Sequence, residues 1–446
     1  MNTQQLVLAL NAGSSSVKAS LLNVVESKDH TNDLGKRLIQ HNHILHALGE
    51  RLGTVHATLC LDFKICHDDS KSLETDCETS SRTVTVPYMD HSKALELIIV
   101  ALEDRGLVKD IVAIGHRVVH GGTKYNVPIL VDEESLLGID SISHLAPLHN
   151  PSNVMGMQLA QEKLPGIPNV AVFDTSFHST IPEKAFTYPL PVEYRQMQMR
   201  KFGFHGTSVQ YVVEHAKSIL DSSKHATSRE LKAESLKTPY NFVVCHLGSG
   251  ASVTAVVGNE SRDTSMGFTP LAGLMMGTRC GSVDPSLVGY ACHVLNKSVD
   301  DVMDDWNKRS GLRGMVPEGQ DYDMRSLLGR ERTDPQAKLA VEMFIYRLAQ
   351  HIAAAMVALD GPMDALIFTA GIGEHSAVIR RRTLQALQGT ILPNAKIDEE
   401  RNSKDGIETS GIISVDGSFP MLLDVPTDEE AMIAKEAIRI VNNYTN

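Results

Sequence analysis

The chain holds a single tryptophan, and aromatic residues make up only 5% of its 446 positions. No stretch interleaves aromatic with basic side chains, which argues against stacking on single-stranded nucleic acid. Basic residues are outnumbered, 42 Lys and Arg against 54 Asp and Glu. The resulting net charge of −12 excludes a broad nucleic-acid surface, though not a local cationic pocket. Long hydrophobic runs are missing as well. The longest wholly apolar stretch spans about eight residues, at 352–359, against roughly 20 needed to cross a bilayer. The N-terminal apolar run, Leu6 to Leu10, is too short for a secretory signal. Cys60, Cys66, Cys77, Cys245, Cys280 and Cys292 lack zinc-site spacing and read as free thiols in a reducing cytoplasm. His41, His43 and His46 resemble metal ligands, but a solvated, His-rich segment is the simpler reading.

What remains is an ordinary globular composition, 42% apolar and 22% charged, long enough for two domains. Apolar strand-like runs alternate with helix-like periodicity, which indicates an α/β fold. Residues 26–43, 66–82 and 220–240 are polar and read as loops or insertions. Asp334-Pro335 opens a long helical pattern through Val341, Ile345, Leu348, Ile352 and Met356.

The stretch "LVLALNAGSSSVKASLL" sets a Gly/Ser turn between two strands, and "FVVCHLGSGASVTAVV" repeats the pattern about half the chain later. A third glycine-rich turn, "AGIG" at 370–373, follows another strand and precedes a helix expected from Ser376. None is a P-loop, because G-x-x-x-x-G-K-[ST] does not occur in them. Three small-residue turns, each ending an apolar strand, still offer backbone N–H groups that cradle phosphates.

Cationic groups recur beside glycines: Arg117 in "GHRVVHGG", His205 in "KFGFHGTS" and Arg279 in "GLMMGTRCG". His149 in "LAPLHNP" lacks that flanking. Two arginines suit bidentate contacts to carboxylate and phosphoryl oxygens, hence transfer between two anions. Two acids stand out. Asp174 follows a strand, as a metal ligand or a turn cap. Thr427 and Glu430 fit a capping box for the last helix, which leaves Glu429 to bind a divalent cation.

"NAGSSSVK", "GHRVVHGG", "APLHNP", "VFDTSFH", "FGFHGTS", "DTSMGFTPLAGLMMGTR" and "FTAGIGEHS", with "PTDEE", resemble the ordered motifs of the acetate kinase family across residues 11–430. The resemblance implies an α/β fold of two ribonuclease-H-like domains, a mixed sheet flanked by helices that is duplicated, with ATP in the cleft between them. Domain I would comprise 1–175 plus 430–446 and domain II 176–429, the latter forming a homodimer. By this resemblance Arg117 and Arg279 hold the acyl carboxylate and the phosphoryl group, His205 stabilises the transition state, and His149 supports that cluster. Asp174, Glu429 and Asn11 would hold magnesium, or manganese in its place, near Ser14, Ser16 and Lys18. The ATP contacts would come from Lys18, His246, Leu247, Gly248, Ser249, Gly250, Asp323, Met324, Arg325, Gly371, Ile372 and Gly373. Val119, Leu148 and Pro270 would enclose the alkyl group. The chain departs from the family pattern at Ser249, Cys280 and His375.

The implied reaction is reversible transfer from ATP to a short carboxylate, acetate first and propionate or butyrate next, giving ADP and acyl phosphate. A carboxylate is already ionised at pH 7 and needs no general base. A sugar or glycerol kinase would need one, leaving the two arginines unexplained. A chaperone-like ATPase would need a further substrate-binding domain.

Overall fold

A run as apolar as Leu6–Leu10 cannot face water on either side, and it becomes the middle of a sheet. The computed structural model describes residues 5–26, 39–66, 77–222 and 239–445. By internal contacts the chain divides into two compact units, Met1–Ser176 with Asp428–Asn446, and Phe177–Thr427.

The first unit contains strands β1 (Gln5–Ala12), β2 (Ser16–Glu26), β3 (Ile39–Glu50), β4 (Thr58–Cys66), β5 (Cys77–Thr85), β6 (Ile111–Val118), β7 (Ile129–Leu130) and β8 (Asn169–Phe173). They form one sheet in the order β5-β4-β3-β2-β1-β6-β8-β7. β1 pairs antiparallel with β2 and parallel with β6, and β6 pairs parallel with β8. One face packs Leu6, Leu8, Leu10, Leu21 and Leu45 against Leu95, Ile98 and Leu102 of helix His91–Glu103. The helix Glu429–Thr445 lies on β1 and β6. Its approach requires Gly115, where a Cβ would come within 2.5 Å of Ile433 Cγ2.

The second unit contains β9 (Asn241–Leu247), β10 (Ala251–Val257), β11 (Glu260–Thr264), β12 (Ala365–Thr369) and β13 (Met421–Asp424), in the order β11-β10-β9-β12-β13. Here too the first strand of a hairpin is central, antiparallel to one neighbour and parallel to the other. The stretch β3-β2-β1-β6-β8 of the first unit has the same order and sense. The fold is therefore α/β, with a ribonuclease-H-like mixed sheet built twice and flanked by helices. In the second unit Val209, Val212 and Ala216 of helix Gly206–Ser222 pack on Phe242, Val244 and Ile367. Helix Pro335–Met356 starts as expected, with Asp334 Oδ1 accepting from Gln336 N and Ala337 N.

The polar stretches read as loops need correction where they are described. Residues 39–43 belong to β3 and 77–82 to β5, and 220–222 end a helix. Edge strands carry polar side chains because only one side is paired and little is covered. β5 is such an edge, with Ser80, Ser81 and Arg82 exposed. The rest of those stretches, 27–38, 67–76 and 223–238, lies outside the described residues.

The "AGIG" turn is also different from expectation. Ala370–His375 is itself a short helix directly after β12, and a second helix, Ala377–Gln388, follows. Arg380 holds this arrangement from beneath. Its fully buried guanidinium donates to the carbonyls of Gly373 and Glu374, both at 2.7 Å, and to Asn402 Oδ1 at 2.8 Å. It also ion-pairs with Asp424 at 2.8 Å. Replacing Arg380 with Leu strands Asp424 in the core, at a cost of about 3–5 kcal/mol. Amide exchange in β12 and β13, which reads this unit alone, should accelerate accordingly. Protection within about 1 kcal/mol of the parent protein would contradict the role assigned to Arg380.

Candidate active site

In open α/β sheets ligands gather outside the carboxyl ends of parallel strands, because helix N-termini and loop N–H groups converge there. The carboxyl ends of β1, β6 and β8 present Asn11, Arg117 and Asp174, respectively. Asn11 pairs across the hairpin with Lys18, and the Gly13 N–H closes the turn on Ser16 O at 2.8 Å. Ser14 and Ser15 at the tip are exposed.

Arg117 donates to Asp174 through Nε, at 3.0 Å to Oδ1 and 3.1 Å to Oδ2, and through Nη2, at 2.7 Å to Oδ2. Its Nε is also 3.7 Å from Glu429. The arginine fork thus faces Asp174 rather than solvent. Among the described residues, Nη1 is the nitrogen without a hydrogen bond, and so the one that can meet an incoming anion. Burial alone would lower the guanidinium pKa, but Asp174 and Glu429 more than offset it and raise it, so the charge is permanent. Burial, followed by the nearby Asp174 and Glu430 charges, pushes Glu429 above the usual carboxylate range, with Arg117 and Lys18 opposing. Asp174 is nearly inaccessible, and it is engaged by this ion pair.

The start of the last helix also departs from expectation. Asp428, not Thr427, caps it by accepting from Ala431 N at 2.9 Å. Glu430 is not a capping-box partner; it ion-pairs with Lys18. Thr427 instead donates its N–H to Glu374 Oε1 at 3.0 Å. His43 sits on β3, not in a solvated segment: its Nε2 is 2.6 Å from Asp428 Oδ2 and its ring stacks on His46 at 4.2 Å. Asp428, Glu429 and Glu430 are consequently held by cations or imidazole from three strands, β3, β6 and β2.

Two carboxylates crowded at one arginine suit magnesium, which commonly takes one or two protein carboxylates and keeps water and substrate phosphate for its other positions. Among the described residues no group of three or more His, Cys, Asp or Glu side chains offers a denser metal cage. The donor set of Asp174 and Glu429, with the Asn11 amide at the neighbouring strand end, therefore fits that ion.

In the second unit, the β9–β10 hairpin turns through Gly248–Gly250, with Gly248 N donating to Gly250 O at 3.0 Å. His205 precedes helix Gly206–Ser222 in a left-handed conformation, φ 63°, and its Nδ1 lies 3.1 Å from Ser252 Oγ. Its ring stacks on His246 at 4.0 Å, and His246 is tied to Ser208 Oγ at 2.8 Å. Gly250 is the meeting point. A Cβ there would lie 3.2 Å from His205 Nε2 and 3.4 Å from Arg279 Nη1, so glycine lets both groups settle over the backbone without being pushed back. Arg279 Nη1 is held by Pro270 O at 3.1 Å, which makes the Pro270 carbonyl a positioning group. Ser249 accepts at its carbonyl from Gly277 N at 2.9 Å, linking the turn to the loop that carries Arg279.

The other expected residues divide by burial. Leu247 and Met324 are in the core, so only their backbones can face a ligand. Asp323 caps helix Met324–Arg330 by accepting from Ser326 N at 3.0 Å, and Arg325 is exposed. Gly371 and Ile372 lie at the surface of the short helix, whereas Gly373 is buried against Phe368. Val119 is buried, Leu148 is exposed, and His149 is half-buried at the start of helix Asn150–Lys163.

Several positioning residues carry no sequence signal of their own. His178 ties Ser261 Oγ to Phe204 O, both at 2.9 Å, immediately before His205. Asn150 and Asn153 grip the backbone after β6. His178 lies within the motif stretch "VFDTSFH" and Asn150 within "APLHNP", whereas Asn153 falls two residues beyond the latter.

Residues 6–435 match the model of the Acetokinase family. An acetate kinase of Bacillus cytotoxicus is 40% identical, covering 98% of this chain and 99% of that protein. An acetate kinase of Clostridium botulinum is also 40% identical, over 98% and 100%. Among solved structures, a propionate kinase from Francisella tularensis subsp. tularensis SCHU S4 is 34% identical with a TM-score of 0.80, covering 98% of this chain and 100% of that one. The Porphyromonas gingivalis acetate kinase is 30% identical with a TM-score of 0.78, at 98% and 100% coverage. This chain belongs to the Acetokinase family and is an ATP-using phosphotransferase with a carboxyl group as acceptor.

Proposed function

We propose that the chain is an acetate kinase, converting ATP and acetate reversibly to ADP and acetyl phosphate by direct in-line transfer. The observation that carries this reading is the engagement of Asp174 by Arg117. A carboxylate held in a guanidinium fork cannot serve as base to a hydroxyl acceptor, whereas an acetate oxygen attacks as the anion it already is. The bond from the γ-phosphorus to the β–γ bridging oxygen breaks as the acetate oxygen–phosphorus bond forms, and ADP leaves with the electron pair.

Catalysis then consists of positioning and charge stabilisation. Arg117 Nη1 meets the acetate carboxylate, with Val119 and Leu148 as walls for its methyl group. Arg279 and His205 Nε2 donate to the equatorial oxygens of the phosphoryl group in flight. The turns at Asn11–Lys18 and His246–Gly250 and the backbone of Gly371–Gly373 bind phosphates, while Asp323, Met324 and Arg325 border the nucleoside. Asp174, Glu429 and Asn11 would hold magnesium, which would supply charge neutralisation for the phosphates.

The 40% identity to acetate kinases supports acetate as substrate, and the 34% identity to a propionate kinase keeps the next homologue close. One extra methylene in an apolar pocket changes affinity by only about 1–3 kcal/mol, so propionate should be a real but poorer acceptor. With ATP, magnesium and hydroxylamine, acetate should give the most hydroxamate in a series from acetate to butyrate. Hydroxamate formed best from propionate or butyrate would reassign the substrate. Absence of hydroxamate from every short acid would overturn the reading.

The chain is further proposed to act as a homodimer through its second unit. Helix Ser286–Leu295 buries none of its side chains although Leu287, Tyr290, Val294 and Leu295 are apolar. Tyr290 is 67% exposed and Leu295 58%, an unusual cost for a monomer surface. Light scattering should give twice the chain mass, falling to one for the double variant Tyr290→Asp, Val294→Asp. A parent protein that scatters as a monomer, or a variant that remains dimeric, would contradict this interface.

A further inference from the structure

Beyond β6 the chain leaves the sheet, and Val119 and His120 lose strand partners for their backbone groups. Such buried groups must find substitutes. They find them on helix Asn150–Lys163. Val119 N donates to Asn153 Oδ1 at 3.2 Å, and His120 N donates to Asn150 Oδ1 at 3.2 Å. Asn150 Nδ2 returns a bond to His120 O at 3.0 Å, so this amide imitates a strand neighbour.

Asn153 does something different with its second group. Its Nδ2 donates to Ala12 O at 2.9 Å, at the end of β1 beside Asn11 and the Gly13–Ser15 turn. The amide orientation is fixed by chemistry, since the Val119 N–H can meet only the oxygen and the Ala12 carbonyl only the nitrogen. Asn153 is 3% exposed, so no water can replace either bond without moving the helix. The helix lies close to the strand end, and Gly156, three residues on, permits that approach, because a Cβ there would come within 2.8 Å of Ala12 Cβ. A single side chain therefore sets the spacing between the turn at the end of β1 and the backbone of Val119.

We propose that Asn153 is a positioning residue for acyl selection, which holds Val119 at a fixed distance from the strand end and so limits the length of the alkyl group accepted. This rests on the reading of Val119 as a wall of the acyl site. Without Asn153 the Val119–His120 segment is free to move outward, and the site tolerates a longer chain. Asn150 secures only His120, and loss of its bonds leaves the link from Val119 to Ala12 intact.

The test is the acetate-to-propionate ratio of kcat/KM in the parent protein and in Asn153→Ala, Asn153→Asp, Asn153→Gln and Val119→Ala. Asn153→Ala should lower the ratio about threefold or more, chiefly through KM, as expected for loss of a net hydrogen bond at the wall. Asn153→Asp keeps an oxygen for the Val119 N–H and should hold the ratio closer to the parent value. Asn153→Gln keeps the amide but lengthens it by one methylene, displacing Val119. It should lower the ratio even if the alanine variant does not fold. A ratio moved by Val119→Ala but by neither Asn153→Ala nor Asn153→Gln would overturn the role of Asn153 and leave the Val119 wall standing. A ratio unmoved by all four would overturn both.

Discussion

The Arg117 guanidinium donates through Nε and Nη2 to Asp174 while the same Nε lies near Glu429, and the chemistry of the first unit is arranged around that ion pair. A planar fork matches a carboxylate at two points, so it fixes the side chain's direction as well as its charge. Asp174 is buried, and removing this partner would leave its carboxyl oxygens at that depth without the guanidinium that binds them. With Nε and Nη2 engaged, Arg117 keeps one nitrogen for a second anion. The same contact withdraws Asp174 from use as a base. A single ion pair thus disfavours a hydroxyl acceptor and favours a carboxylate one.

The frame around it recurs in the second unit. In both units a hairpin supplies the central strand, a small-residue turn caps the hairpin, and parallel strands beside it end in chemistry-bearing residues. Strand ends have spare N–H groups and room for side chains, because the ladder stops there. Arg380 and Asn153 illustrate the cost of building on such ends. Each is a buried polar side chain whose main task is to satisfy backbone groups that the sheet no longer reaches.

Much of this is legible from the chain. Apolar runs ending in glycine and serine mark the two hairpins, and Asp334-Pro335 marks a helix start, because these signals act within a few residues. The family motifs point to Arg117, Asp174, His205 and Arg279. What the sequence hides is partnership across long separations. Thr427 and Glu430 have capping-box spacing, yet Lys18, more than 400 positions away, takes Glu430 and leaves Asp428 to cap. The polar residues of β5 read as loop because an edge strand has little to bury. Asn150, Asn153 and His178 look like ordinary polar residues until the backbone groups they serve come into view.

Steady-state turnover of Arg117→Lys and Arg117→Ala at saturating acetate and ATP tests the central role of the guanidinium. Lysine supplies one compact charge, which cannot grip Asp174 at two points and meet a substrate anion as well. Both variants are expected to lose about 10²-fold or more in kcat, with lysine restoring little of the alanine loss. A lysine variant with near-parental kcat, whatever its KM, would contradict the account.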